Sequence, residues 1–192
     1  MSSDRQTQIL EAAVRVIAQD GVRGLRVEKL AAEAGVSTAL IYYHFKDRSG
    51  VLHAALAHIN NRALRYTDHA FTDADARTQL EQILLLELQD TDEVRGNSIA
   101  WGELRASAVF THDLREPIDV TTRAWVADVE TLIREGQSAG SVGADVAPAD
   151  AAERLTALVE GLSERWHSGS ITLVRARQLL TGALVAELGK GE

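Results

Sequence analysis

Residues 30–48 read LAAEAGVSTALIYYHFKDR, and this stretch decides the fold of the first part of the chain. A short apolar helix is expected to end before Gly35, because glycine can adopt the positive φ of a left-handed helix end. A second short helix is expected to begin at Ser37, whose hydroxyl can cap it. Val36 lies between the two and is expected to anchor the second helix. Two short helices joined by such a turn form a helix-turn-helix.

The second of these helices ends in a cluster of hydrogen-bond donors. Tyr42, Tyr43 and His44 are followed by Lys46 and Arg48. Phenol, imidazole and cationic groups donate to phosphate oxygens, which take a large share of the hydrogen bonds between proteins and DNA. The cluster therefore favours a nucleic-acid partner.

Apolar residues recur at helical spacing along the rest of the chain, and no strand pattern occurs. Before residue 66 we expect four helices, at about Asp4 to Asp20, Val27 to Ala34, Ser37 to His44 and Asp47 to Tyr66. The whole chain is expected to be all-α with about nine helices. The helix-turn-helix forms an N-terminal domain, and a C-terminal helical bundle follows it along the chain.

The charge is divided unevenly along the chain. The net charge of −8 argues against a polyanionic partner, but residues 1–66 hold nine Lys and Arg against six Asp and Glu, whereas residues 67–192 hold eleven against twenty-two. Turn-forming residues between 66 and 75 suggest a junction. We therefore expect a DNA-binding domain over 1–66, with its motif at about 27–46, and a separate domain over 67–192.

Composition excludes several classes of protein. With no cysteine, the chain has no disulfides, Cys-ligated zinc or thiol nucleophile. Apolar runs such as 39–43 and 83–86 are far shorter than the roughly 20 residues that cross a bilayer, and the first residues show no targeting pattern, so a cytoplasmic protein is expected. The His-Glu-x-x-His, Gly-x-Ser-x-Gly and phosphate-binding loop motifs are missing. We expect no enzymatic activity and no cofactor; a helical enzyme and a protein–protein adaptor remain the alternatives.

Residues 9–56, above all 30–37, 41–45 and Arg48, closely resemble the DNA-binding domain of tetracycline-repressor (TetR) type transcriptional regulators. The resemblance implies a homodimer on a pseudo-palindromic operator and a C-terminal domain that dimerises and binds a small effector. It places Ser37, Thr38, Ala39, Leu40 and Tyr43 at or beside the bases, and Tyr42, His44 and Arg48 on phosphates. The Tyr42 ring is expected to pack in the core with its hydroxyl on a phosphate, and Phe45 to be a core residue.

The sequence departs from the family pattern at three positions. Arg48 replaces the lysine of most members, which keeps the cation. Arg26 replaces a threonine that caps the second helix in many members, so that cap is expected to be lost or supplied otherwise. Glu28 lies where several members have a basic or neutral DNA contact, and its carboxylate would repel phosphate unless it pairs internally or accepts from a cytosine amino group. Because Thr38, Ala39 and Leu40 cannot make the bidentate contacts of Arg, Asn or Gln, base recognition is expected to depend on thymine methyls, Tyr43 and DNA shape.

Tryptophans mark a candidate effector pocket in the acidic part of the chain. Ligand sites are often built between bundle helices, although each of these residues could equally be core. The apolar faces of the last two helices are expected to pair with a second copy. The candidate pocket residues are Trp101, Arg105, Trp125 and Trp166, with Asn97, Glu103, Thr122 and Glu160 as possible polar partners. The sequence does not identify the effector, the operator or the target genes.

Overall fold

The computed structural model describes residues 4–68 and 74–189, without the side chains of 64–68. Within these ranges the chain is all-α, as predicted, with nine α-helices, one turn of 3-10 helix at His112–Leu114 and no strand. The helices are α1 (Asp4–Gly24), α2 (Val27–Ala34), α3 (Thr38–Phe45), α4 (Arg48–Asp68), α5 (Ala76–Leu86), α6 (Asp92–Ala108), α7 (Arg115–Ser138), α8 (Pro148–His167) and α9 (Leu173–Leu188).

The turns around α2 and α3 form as the sequence predicts. Gly35 ends α2 in the left-handed region, with φ 63° and ψ 36°, and the Ser37 side chain caps α3 by accepting from the Leu40 N–H at 3.2 Å. Gly21 leaves helical geometry at φ 71° and ψ 172°, where the first helix was expected to end. One further turn follows it, so α1 continues to Gly24.

Side-chain caps and proline define three later helix starts. The Asp75 carboxylate accepts from the Thr78 N–H at 3.1 Å, and the hydrogen bonds from Thr78 hold the pKa of Asp75 below its usual value. Pro148 is the first residue of α8, and Thr172 caps α9. Of the predicted junction at 66–75, residues 69–73 lie outside the described residues.

The described chain packs into two compact units, and the first combines residues up to 63 with 96–120. Its core contains Ile17, Leu30 and Ile41 together with Ala100 and Leu104 of α6. The first limit at 63 lies close to the predicted boundary at 66, but the sequence did not predict that 96–120 belongs to this unit. The functional division into 1–66 and 67–192 stays a prediction.

The second unit comprises residues 64–95 and 121 onward. Its core includes Leu84, Val129, Leu162 and Leu184. Arg177 of α9 donates to the carbonyl oxygens of Leu85 and Leu88, at 2.9 and 2.7 Å, and so binds one acceptor in the last turn of α5 and one just beyond that helix. Within the described ranges, every helix is too short or too polar to span a bilayer.

Candidate nucleic-acid interface

Helix α3 presents one face to the core and the other to solvent. Ile41 and Phe45, one turn apart, are 1% and 5% exposed and fix the helix in the first unit. Phe45 is thus a core residue, as predicted. Thr38 is exposed because it begins the helix, and Ala39 and Tyr43 are exposed on the side opposite the two anchors. The helix therefore offers a surface of small and polar groups held by two apolar anchors.

The two tyrosines of α3 lie on the exposed side. Tyr43 is 80% exposed, and its ring meets the edge of the partly buried His44 ring at a centroid distance of 5.2 Å. Tyr42 is 49% exposed, so the prediction that its ring packs in the core is wrong. The helix is only eight residues long, and positions 41 and 45 alone take its buried face. Leu40 is partly buried against the core.

A tight turn fixes the end of α3 and the start of α4. Lys46 ends α3 with φ 67°, and its N–H donates to the Tyr42 carbonyl oxygen at 2.9 Å. The Asp47 carboxylate, at the expected start of the fourth helix, caps α4 by accepting from the Gly50 N–H at 2.8 Å. A Cβ on Gly50 would lie 2.0 Å from the Phe45 carbonyl oxygen, so only glycine fits there. The donors at the end of α3 are therefore held on a defined backbone.

Arg48 makes contacts that the sequence analysis missed. Its Nε donates to the carbonyl oxygen of Leu25 at 2.7 Å, and its Nη2 donates to the carbonyl oxygen of Val22. Val22 lies in the last turn of α1 and Leu25 in the loop that follows it, and we call residues 21–26 the α1–α2 turn. The cation that the family resemblance places on a phosphate thus binds the protein's own backbone, and no local sequence pattern indicates these partners.

The start of α2 shows the predicted departures from the family. Arg26 is exposed and gives no side-chain hydrogen bond to cap the helix. Glu28 is exposed and forms no ion pair within the described residues, whereas its neighbour Lys29 binds Asp20 at 2.6 Å. Arg26, Glu28 and Lys29 line an open surface recess together with Gly24. The internal pairing considered for Glu28 is therefore not found among these residues.

The four candidate effector residues fall into two groups. Trp101 and Arg105 belong to the first unit, where the guanidinium carbon of Arg105 lies 5.3 Å from the Trp101 ring centroid. Trp125 and Trp166 belong to the second unit. Trp125 is partly buried, and Trp166 is 9% exposed. Whether any of them lines a pocket stays a prediction.

Trp166 lies in a small polar and aromatic cluster. The guanidinium carbon of Arg95 is 5.6 Å from the Trp166 ring centroid, and the His167 ring lies 4.3 Å away, centroid to centroid. Both His167 ring nitrogens are buried without a hydrogen-bond partner in the described chain. Burial, and to a smaller extent the charge of Arg95, lower the pKa of His167 to about 4, against the opposing charge of Asp90. His167 is therefore neutral near pH 7.

Two of the expected polar partners instead hold the first unit together. The Asn97 Nδ2 donates to the Ile59 carbonyl oxygen of α4 at 3.1 Å, and Asn97 is 3% exposed. Glu103 accepts from the Val22 N–H at 3.1 Å through Oε2. Both bonds join α6 to the N-terminal helices.

An N-terminal helix-turn-helix with an exposed second helix, in an otherwise all-helical chain, defines a helical DNA-binding regulator. The profile of bacterial regulatory proteins of the tetR family matches residues 9–55, and that of the C-terminal region of BetI-type transcriptional repressors matches residues 76–189. The chain belongs to the tetR family of transcriptional regulators, with a C-terminal region of the BetI repressor type. The expected family is thereby confirmed.

Two relatives of known structure share the fold over 96% or more of this chain. A TetR-family transcriptional regulator from Rhodococcus sp. is 46% identical, with a TM-score of 0.90 over 96% of this chain and 98% of that one. A transcriptional regulator from Saccharomonospora viridis, solved in complex with choline, is 28% identical, with a TM-score of 0.86 over the full length of both chains. The HTH-type transcriptional regulator BetI of Escherichia coli is 26% identical over 137 residues, 70% of each chain.

Proposed function

We propose that the protein is a homodimeric repressor that binds a pseudo-palindromic DNA operator and is released from it by a small effector. The exposed face of α3 carries the DNA part of this proposal, because Ile41 and Phe45 anchor the helix while Thr38, Ala39 and Tyr43 face solvent. A helix presented in this way fits the major groove of B-DNA. Two such helices in a dimer would read half-sites about 34 to 36 Å apart, one turn of the duplex.

Within α3 we assign recognition of bases to its exposed N-terminal turn and to Tyr43. Thr38 and Ala39 offer methyl groups for thymine, and the Tyr43 hydroxyl can donate or accept at a base edge. Ser37, Tyr42 and His44 are assigned to the DNA backbone, because hydroxyl and imidazole groups donate to phosphate oxygens. Leu40, which is partly buried, supports this surface from below. Arg48 is assigned to the α1–α2 turn that it binds.

A face of mostly small, uncharged side chains on α9 supports dimerisation. Val174 and Val185 are 66% and 57% exposed, which is unusual for two valines on the face of one helix. Small uncharged side chains on an exposed helix allow a second helix to approach closely, and a two-fold pairing of α8 and α9 with a second copy would cover them. The exposed residues of this face are Val174, Gln178, Thr181, Gly182, Val185 and Ala186, and the exposed Arg175, on the side of Gly182 and Ala186, adds one charge to it.

We assign the effector to the quaternary ammonium class. The choline complex of the Saccharomonospora viridis regulator and the match to the BetI-type C-terminal region support this class. Trp rings bind such cations over their faces. Guanidinium groups already lie over Trp101 and Trp166, whereas no ring contact is found for Trp125 in the described chain. Trp125 is therefore the first candidate to contact the effector, and the acidic balance of residues 67–192 favours a cation.

One experiment tests the proposal as a whole. The full-length protein is used to select binding sites from random duplex DNA, and the enriched sequence is titrated with and without choline. We expect a single recurrent pseudo-palindrome, bound by a dimer and released by choline. If no sequence is enriched and random duplex is not bound even at low salt, the adaptor alternative replaces DNA binding.

A further inference from the structure

Side chains from α4 and α6 bind the backbone of the α1–α2 turn. The N–H of Val22 donates to Oε2 of Glu103 on α6 at 3.1 Å. The carbonyl oxygens of Val22 and Leu25 accept from Arg48 at the start of α4. Both backbone polar groups of Val22 are thus bound by charged side chains, which form stronger hydrogen bonds than neutral partners.

The residue next to Val22 makes room for this contact. Gly21 has φ 71°, a conformation that side-chain-bearing residues rarely adopt. A Cβ at Gly21 would lie 2.7 Å from Oε2 of Glu103, closer than two such atoms can stand. The kink in α1 and the close approach of the Glu103 carboxylate therefore occur at the same point of the chain.

The helix that follows this turn depends on outside support. Arg26 gives no side-chain cap to α2, so the start of α2 lacks the local hydrogen bond that usually fixes a helix N-terminus. Helix α2 leads through Gly35 directly into α3. The neighbour of Glu103 on α6, Leu104, is fully buried in the core of the same unit. Its packing fixes the part of α6 that carries the Glu103 carboxylate.

From this arrangement, and on the basis of the proposed function, we propose that Glu103 is a positioning residue for DNA recognition. It ties the α1–α2 turn to α6 and so holds the helix-turn-helix in the orientation in which α3 reads bases. Specific binding requires that orientation, because base contacts are directional. Non-specific binding depends on phosphate neutralisation, and Glu103 contributes no cation to it. Loss of Glu103 should therefore lower sequence discrimination more than affinity for random DNA.

The test compares Glu103→Ala and Glu103→Gln with Glu116→Ala, which removes an equal charge from an exposed position in the first turn of α7. Affinities of the full-length proteins for the selected operator and for a scrambled duplex are measured over a range of salt concentrations. We expect Glu103→Ala to lower the ratio of specific to non-specific affinity about three- to tenfold, with an unchanged salt slope for random DNA. Glu103→Gln keeps an oxygen acceptor and should retain most of the ratio.

Amide hydrogen exchange provides a second readout that does not depend on DNA. Glu103→Ala should speed exchange at the Val22 amide while leaving the buried Ile17 amide at its original rate, and Glu116→Ala should change neither. A wild-type exchange rate at Val22, an unchanged affinity ratio, or a parallel loss of specific and non-specific affinity would each overturn the role of Glu103. If the wild-type protein bound no DNA, the proposed function would fail, and the exchange rates would still decide whether Glu103 holds the turn.

Discussion

The Arg48 side chain and the Leu25 carbonyl oxygen form a hydrogen bond of 2.7 Å that joins the first residue of α4 to the turn before α2. The same guanidinium donates to the Val22 carbonyl oxygen. A cation at the C-terminal end of a helix also interacts favourably with the partial negative charge there. Arg48 is thus placed to stabilise the domain from within, at a position where family resemblance indicates a phosphate contact.

We expect Arg48→Ala to lower the free energy of unfolding by about 1 to 3 kcal/mol, because two backbone carbonyls lose a charged donor. The salt dependence of DNA binding should stay unchanged. Denaturant titration and binding at several salt concentrations measure both quantities, with the exposed Arg165→Ala as the control. Unchanged stability together with a salt slope smaller by about one would instead place Arg48 on a phosphate.

The local signals of the helix-turn-helix could be read from the sequence. Gly35, Ser37 and Asp47 act through hydrogen bonds and dihedral preferences within a few residues, so their roles follow from their neighbours along the chain. The burial of Phe45 follows from its spacing to Ile41. These are the parts of the site that the sequence predicts.

Contacts between residues distant in sequence could not be predicted in this way. Glu103 binds Val22 across 81 positions and Arg48 binds Leu25 across 23, and nothing in the composition of either segment indicates its partner. The packing of 96–120 with the N-terminal helices depends on the tertiary fit of Ala100 and Leu104. An amphipathic pattern shows that a helix has a buried face, but it does not show which of the two cores that face joins.

We expect Thr38→Val to change sequence preference rather than general affinity. The substitution keeps the shape and a methyl group but replaces the exposed hydroxyl of the first residue of α3. A change at one or two positions of the selected operator, with the same affinity for random duplex, is the expected outcome. Thr131→Val, at an exposed position of α7, serves as the control. A loss of affinity that is equal for all sequences would show that Thr38 contacts only the DNA backbone.

His167 should make stability depend on pH in the acidic range. Its pKa is lowered from 6.5 to about 4 in the folded chain, so between these values the unfolded state binds a proton that the native state does not. The contribution of neutral His167 to the free energy of unfolding is therefore complete above about pH 6.5 and is lost as the pH falls toward 4. The side chain is only half-buried, which reduces the effect. We expect the wild type to lose about 1 kcal/mol more of its free energy of unfolding between pH 7.5 and 5 than His167→Gln loses.

Denaturant titrations at both pH values measure this difference. His112→Gln, which removes an exposed histidine of the 3-10 turn, is the matched control and should lose stability with pH as the wild type does. If wild type and His167→Gln lost the same stability, His167 would not be held neutral in the folded chain.

The exposed valines of α9 predict the effect of a charge on dimerisation. We expect Val185→Glu to yield monomers in sedimentation analysis, because a carboxylate buried in an apolar interface without a partner is costly. Val120→Glu changes a valine of similar exposure on α7, 52% against 57%, and should leave the dimer intact. A Val185→Glu protein that sediments as a dimer would show that the pairing surface lies elsewhere.

The assignment of a quaternary ammonium effector predicts that charge, and not shape alone, determines binding. Choline and its uncharged isostere 3,3-dimethylbutan-1-ol have nearly the same volume, so a cation–π site should bind choline and reject the alcohol. Trp125→Ala should weaken choline binding about tenfold or more, and Trp125→Phe less, because a ring face remains. Trp101→Phe, in the first unit, is the control. Calorimetry measures all of these affinities.

The same ligand also tests whether effector and operator binding are coupled. If choline lowers operator affinity by some factor, operator DNA must lower choline affinity by the same factor, since the coupling free energy is shared by the two sites. We expect equal factors in the wild type. Equal binding of choline and the alcohol would contradict the cationic class of effector, and choline binding that leaves operator affinity unchanged would show that choline is a ligand without regulatory effect.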